Sequence, residues 1–258
     1  MIEFKNVDFS YGDRPIIKDV SFRIEEHESV AIMGPSGSGK STILRLILGL
    51  ECPQRGDIII DGQNICRMKE RQKQEIRKKI GMVFQDGALF DSLSVWENVG
   101  YYLLEHTRMS PDEIGERAIQ MLGFVGLDAD EIVYKLPEHL SGGMQRRVAI
   151  GRALLSTDPK IMLYDEPTTG LDPQATENVI TLINKLHSEK PISSIVVTHQ
   201  IADALAIASR FIVISDGELV FSGDLDQLRE CRDTQVLLFL APFRLSVAEV
   251  EKKKFLDR

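Results

Sequence analysis

The 258-residue chain is short of cysteine, of long apolar runs and of positive charge, and each shortage removes a class of protein. Its three cysteines, Cys52, Cys66 and Cys231, are odd in number, widely spaced and outside any CxxC or Cys–His pattern. A disulfide framework and a thiolate metal site are thereby excluded, and reduced packing or surface residues remain. No apolar run approaches the roughly 20 residues that cross a bilayer. The opening MIEFKNVDFS has neither a charged n-region nor an apolar h-region, so the expectation is a chain that stays in the cytosol. A formal net charge of −8 argues against nucleic acid as a partner, because neutralising phosphates takes a clustered excess of Lys and Arg. The locally basic run from Arg67 to Lys79 alternates with Glu70 and Glu75 and reads as a solvated helix face. Neither an internal repeat nor a low-complexity segment is present.

What is there is ordinary globular material, 43% hydrophobic and 27% charged, enough to bury one large core or two modest ones. Residues 2–12 and 20–24 alternate apolar and polar at period two and predict strands of a small antiparallel sheet. Residues 28–33 predict a buried strand running straight into a glycine-rich turn, and residues 41–50 a helix apolar nearly all round. Between 86 and 155 the pattern becomes helical, with capping boxes at Ser94 with Glu97 and at Ser110-Pro111 with Glu113, so an inserted helical subdomain is expected. Strand character returns at 161–164, 194–198 and 211–215, alternating with helices near 173–188 and 201–209. Asp216-Gly217 predicts a tight hairpin into a strand at 218–222.

Three segments carry chemistry. Gly34-Pro35-Ser36-Gly37-Ser38-Gly39-Lys40-Ser41 fits G-x-x-x-x-G-K-[ST] between a strand and a helix, where glycines let backbone N–H groups turn around a phosphate. Lys40 is then expected to bridge the β- and γ-phosphates of ATP, Ser41 to hold Mg²⁺ and Thr42 to reach the α-phosphate. Asp165-Glu166 closes the apolar strand that starts at Ile161, so that Asp165 holds the Mg²⁺ shell and Glu166 polarises the attacking water. Alone, such a pair is equally a helix cap or a surface pair. Leu140-Ser141-Gly142-Gly143-Met144-Gln145 opens a helix with apolar Met144, Val148 and Leu155 at helical spacing and Arg146, Arg147 and Arg152 mostly on other faces. Ser141 and Gly143 sit at its N-terminus, an anion-binding position whose phosphate must come from another subunit. The competing reading of this segment alone is an ordinary serine N-cap with glycines.

Together these motifs, in this order and with a later histidine, resemble an ABC ATPase over about residues 2–240. The resemblance implies a P-loop NTPase of the α/β class: a RecA-like core with an antiparallel β subdomain (1–85 and 156–240), an inserted α-helical subdomain (86–155) and an extension at 241–258. It implies that Tyr11, whose alternative reading is a plain core aromatic, stacks on adenine and that Gln85 senses Mg²⁺ and the attacking water. It further implies that Gly170-Leu171-Asp172 crosses a dimer interface beside the nucleotide and that His199 is the switch beside the γ-phosphate. Two copies would pack head to tail, each ATP clamped between one phosphate loop and the other copy's Ser141-Gly142-Gly143. With one phosphate loop, no long coiled coil and no second cassette, the chain reads as half of a transport machine, a peripheral subunit on the cytoplasmic face of the inner membrane.

Residues 84–107 are similar to the ATPases of Mla-type phospholipid transport systems. Amino-acid and phosphate importers share the general pattern but commonly carry a Pro-His type sequence where Asp91-Ser92 stands here. The resemblance implies as partners an integral membrane permease of the MlaE kind, an MCE-domain protein and, in some systems, a STAS-domain regulator. Phe90, Leu93 and Trp96 either grip the permease or pack the subdomain's own core. The competing readings are another ABC importer, or a non-transport ATPase such as an iron–sulfur assembly factor. The basic stretch that ends at Lys254 either clasps a second subunit or frays.

Overall fold

The computed structural model describes residues 1–241. The extension from Pro242 on, including the stretch that ends at Lys254, lies outside the described residues. In chain order the elements are β1 (Ile2–Tyr11), β2 (Arg14–Ile24), β3 (Ser29–Met33), α1 (Lys40–Ile47), β4 (Arg55–Ile60), β5 (Gln63–Asn64), α2 (Glu70–Arg77) and β6 (Ile80–Val83). There follow α3 (Val95–His106), α4 (Pro111–Phe124), α5 (Ala129–Ile132), α6 (Gly142–Thr157), β7 (Ile161–Asp165) and α7 (Pro173–Glu189). The chain continues with β8 (Ser193–Thr198), α8 (Ile201–Ile207), β9 (Arg210–Ser215), β10 (Glu218–Asp224), α9 (Leu225–Glu230) and α10 (Thr234–Leu240). Among the described residues, no helix is long and apolar enough to cross a membrane. Contacts divide the described residues into two compact units, Met1–Ile76 with residues 193–241, and Arg77–Ile192.

The first unit carries two sets of strands. An antiparallel sheet in the order β2-β1-β4-β5 pairs apolar residues across β1 and β2, Phe4 opposite Phe22 with ring centroids 4.4 Å apart. β4 and β6 were not read from the sequence. Next come β10-β9-β3-β8, in which β3 runs parallel to both β8 and β9. Every residue of β3 and β8 is buried, as continuous apolar runs in a parallel sheet covered on both faces require. The hairpin from β9 to β10 turns at Asp216 (φ 49°) and Gly217 (φ 83°), the left-handed pair that a two-residue turn needs. Helix α1 stops at Ile47 rather than running to Leu50. Gly49 takes φ 62° and the Leu50 N–H returns to the Arg45 carbonyl, a glycine-terminated helix end.

The second unit pairs β6 with β7 in parallel and packs α3, α4, α6 and α7 with them. Both expected capping boxes form: Ser94 and Glu97 open α3, Ser110 and Glu113 open α4, with Pro111 in the first turn. The Glu113 carboxylate accepts from the backbone N–H and hydroxyl of Ser110, which hold its pKa below the ordinary value. α3 and α4 approach closely at Gly100, where a Cβ would stand 2.5 Å from Ile114 Cγ2.

Candidate functional site

The phosphate loop takes its place from sheet register. In the first unit Met33 on β3 stands beside Thr198 on β8, so Gly34 and His199 leave the same end of two parallel neighbours. Loops at the carboxyl ends of parallel strands are where such sheets bind ligands. Gly34, Gly37 and Gly39 have φ of 152°, 80° and 102°, and a Cβ on Gly34 would lie 2.0 Å from the Ile214 carbonyl oxygen. With Gly39 as the N-cap, α1 starts without a side chain over its first amides, the arrangement that suits an anion. Lys40, buried, donates to the Gly34 and Pro35 carbonyls at 2.9 and 2.8 Å. The Ser38 hydroxyl is buried in the same cradle without a hydrogen-bond partner, an orphan that a phosphate oxygen would satisfy. Thr42 is buried, Pro35, Ser36 and Ser41 are exposed, and His199 is half-buried. Tyr11 is 41% exposed. Its hydroxyl accepts from Arg45 of α1 at 3.1 Å and its ring meets Phe9 edge-on, which leaves a braced aromatic face near the helix that follows the loop.

The second unit repeats the device. Val83 on β6 stands beside Tyr164 on β7, so Gln85 and the pair Asp165-Glu166 emerge together from parallel strand ends. Tyr164 is fully buried, and burial pushes its hydroxyl pKa up. Gln85 is exposed, Asp165 half-buried and Glu166 only 9% exposed. Glu166 also has φ 48°, a left-handed conformation that costs a residue with a side chain about 1–3 kcal/mol and is concentrated at working sites. The Thr169 hydroxyl donates to Glu166 Oε2 at 3.0 Å and orients the carboxylate.

Ser141 caps α6 by accepting from the Met144 N–H at 3.3 Å, with Gly142 and Gly143 in the first turn. Asp172 caps α7 by accepting from the Ala175 N–H at 2.9 Å. The two helix starts touch, since a Cβ on Gly143 would lie 2.7 Å from Ala175 Cβ. Phe90 is 41% exposed and its ring lies tilted against Tyr101, centroids 4.3 Å apart, while Leu93 and Trp96 are half-buried. Asn98, fully buried, bonds both the N–H and the carbonyl of Phe90 and fixes that turn.

Arg146, Arg147 and Arg152, expected mostly on faces of α6 other than that of Met144, Val148 and Leu155, each bond backbone carbonyls of neighbouring segments. Arg146 is 5% exposed and donates to the carbonyls of Phe84 and Thr169. Arg152 donates to Gly87 and Ala88 with its guanidinium over the Phe90 ring, and Arg147 donates to Gly126. Periodicity sorts residues by polarity and cannot see that a guanidinium is needed to satisfy carbonyls of a turn that makes few internal bonds. The only local signal was the density of arginine just after the Ser-Gly-Gly start.

A family model described as ABC transporter matches residues 17–169. The chain is 40% identical to the intermembrane phospholipid transport system ATP-binding protein MlaF of Haemophilus influenzae, across 93% of this chain and 90% of that protein. It is 39% identical to the methionine import ATP-binding protein MetN of Campylobacter jejuni, across 88% of this chain and 72% of that protein. Among solved structures, the dimeric post-hydrolysis state of the ATP-binding cassette MJ0796 with ADP and Pi aligns with a TM-score of 0.78 and 38% identity, covering 87% of this chain and 99% of that one.

Proposed function

This chain belongs to the ABC transporter family as an ATP-binding and ATP-hydrolysing subunit, and from that premise we propose that it powers a separate membrane permease for phospholipid. One observation carries the lipid reading: the likeness to MlaF runs over nearly all of both chains, whereas MetN is matched over a smaller share of its length. The segment 84–107, read from the sequence as Mla-like, points the same way.

The mechanism we propose uses two copies packed head to tail, and its support is that the MJ0796 cassette is dimeric. Tyr11 stacks on the adenine of ATP. The backbone of Gly34 to Gly39, with the Ser38 hydroxyl and Lys40, takes the β- and γ-phosphates, and Thr42 takes the α-phosphate. Lys40 exchanges its two backbone acceptors for phosphate oxygens. Ser41, Asp165 and Gln85 are hard oxygen donors, the set that suits Mg²⁺. When bound, that ion neutralises charge on the phosphates. Glu166, held by Thr169, orients and polarises the water, with His199 beside the γ-phosphate. Ser141, Gly142 and Gly143 of the other copy complete the charge stabilisation, and Asp172 lies on the crossing loop. The permease, of the MlaE kind, meets the surface that carries Phe90, Leu93 and Trp96, and an MCE-domain protein and, in some systems, a STAS-domain regulator are the further partners. The chain then works as a peripheral subunit on the cytoplasmic face of the inner membrane.

Affinity purification of the tagged chain from gently solubilised membranes tests this. A polytopic protein with bound phospholipid in the eluate is the expected result. No polytopic partner removes the transporter reading, and a permease that carries methionine instead of lipid removes the substrate reading in favour of a MetN-like importer.

A further inference from the structure

Arg146 is a buried charge with no carboxylate bonded to it among the described residues. The residue is 5% exposed, Nη1 donates to the Phe84 carbonyl at 2.7 Å, Nη2 donates to the Thr169 carbonyl at 3.4 Å, and Nε is unpaired. Asp86, on the same turn as Phe84, adds a favourable field. An apolar side chain would fill this space without desolvating an ion. What the planar fork supplies and an apolar residue cannot is a rigid tie between two separate loops.

Those loops are the ones that carry the proposed chemistry. Phe84 precedes Gln85. Thr169 donates its hydroxyl to Glu166 Oε2 at 3.0 Å and its backbone N–H to the Glu166 carbonyl at 3.3 Å. The turn between Phe84 and Phe90 is strained, with Gly87 at φ 73° and Ala88 at φ 47°, and is fastened a second time by Arg152 through the carbonyls of Gly87 and Ala88 at 2.8 and 2.7 Å. Arg146 lies on α6, whose start is Ser141-Gly142-Gly143. One guanidinium thus joins the helix that opens on Ser141-Gly142-Gly143 to the neighbour of Gln85 and to the holder of Glu166.

We propose that Arg146 is a positioning residue that couples the two ATP sites of the working dimer: engagement of Ser141-Gly143 on the partner's nucleotide sets the Gln85 and Glu166 loops of its own subunit. This inference rests on the roles proposed for Glu166 and for the α6 start.

The test uses the full chain with Arg146→Met, which keeps bulk and removes every donor, and Arg146→Lys, which keeps the charge and loses the fork. Hydrogen exchange is followed in residues 84–90 and 166–171 without nucleotide, alongside ATP affinity by calorimetry, kcat, KM and the Hill coefficient of hydrolysis. The expected result for Arg146→Met is faster exchange in both segments, affinity within about two-fold of wild type, and kcat lowered about ten-fold or more, the effect of losing one charge-assisted hydrogen bond, with a Hill coefficient near one. Arg146→Lys is expected to protect one segment only and to recover part of kcat. Wild-type exchange in both segments, or raised exchange with unchanged kcat and Hill coefficient, overturns the proposal. If Arg146→Met does not fold, Arg146→Lys decides alone: wild-type exchange and kcat in that variant overturn it. The exchange measurement involves no nucleotide, so it stands or falls separately from the reading of Glu166, which Glu166→Gln tests.

Discussion

Gly143→Ala separates packing from nucleotide contact at the start of α6. The new Cβ would stand 2.7 Å from Ala175 Cβ and 3.5 Å from its Cα. Carbon pairs sit best near 3.5–4.0 Å, so α6 and α7 must part by about 1 Å at their first turns. Overpacking of this kind costs about 1–3 kcal/mol, and replacing glycine by alanine in a helix returns about 0.5–1 kcal/mol. The net loss is about 1–2 kcal/mol, which for a chain of this size lowers the melting temperature by about 2–8 °C. Gly142→Ala is the control, because its Cβ meets only the flexible Leu171 Cδ2, at 3.2 Å, and should stay within about 0.5 kcal/mol of wild type. Urea unfolding of the two variants measures the difference. Gly143→Ala as stable as Gly142→Ala would refute the packing argument. Adding Ala175→Gly removes the clash. If stability returns and ATP hydrolysis with it, the lost activity was a matter of helix placement; if hydrolysis stays low, the Cβ obstructs the partner's nucleotide.

Glu166→Gln should bind ATP nearly as well as wild type, trap a closed dimer visible by gel filtration and hydrolyse no ATP; undiminished turnover removes Glu166 from its role. Lys40→Ala should weaken ATP binding by about ten- to a hundred-fold, because one or two charge-assisted bonds to phosphate are lost, and an unchanged Kd by calorimetry contradicts it. The Ser110 backbone and hydroxyl donors hold Glu113 below the ordinary glutamate range, so its support of the α4 start is complete above the unfolded value and is lost as pH falls through the lower folded value. Carbon-detected NMR titration should show that depressed midpoint, and an ordinary glutamate midpoint rules it out.

The legible part of the protein was the part written in short-range rules. The glycines of the phosphate loop, the capping boxes at Ser94 and Ser110 and the Asp216-Gly217 turn depend on neighbours within a few residues, and each formed at its expected place. Short polar-flanked strands such as β4 and β6 escaped because their stability comes from partners distant in the chain. The strained Glu166 backbone and the burial of Arg146 escaped for the same reason: both are imposed by surroundings that periodicity does not encode.

By itself, then, the amino-acid order determined that there is a strand, a phosphate loop and a helix, a carboxylate pair, and a helix opening on Ser-Gly-Gly, because each is a local backbone requirement met by glycine, serine or an apolar run. Tertiary structure alone decided the registers that put His199 beside the phosphate loop and Gln85 beside Asp165-Glu166, and the single guanidinium that ties two loops to α6. Those arrangements depend on hydrogen bonds between residues far apart in the chain, formed only when sheets pair and helices pack.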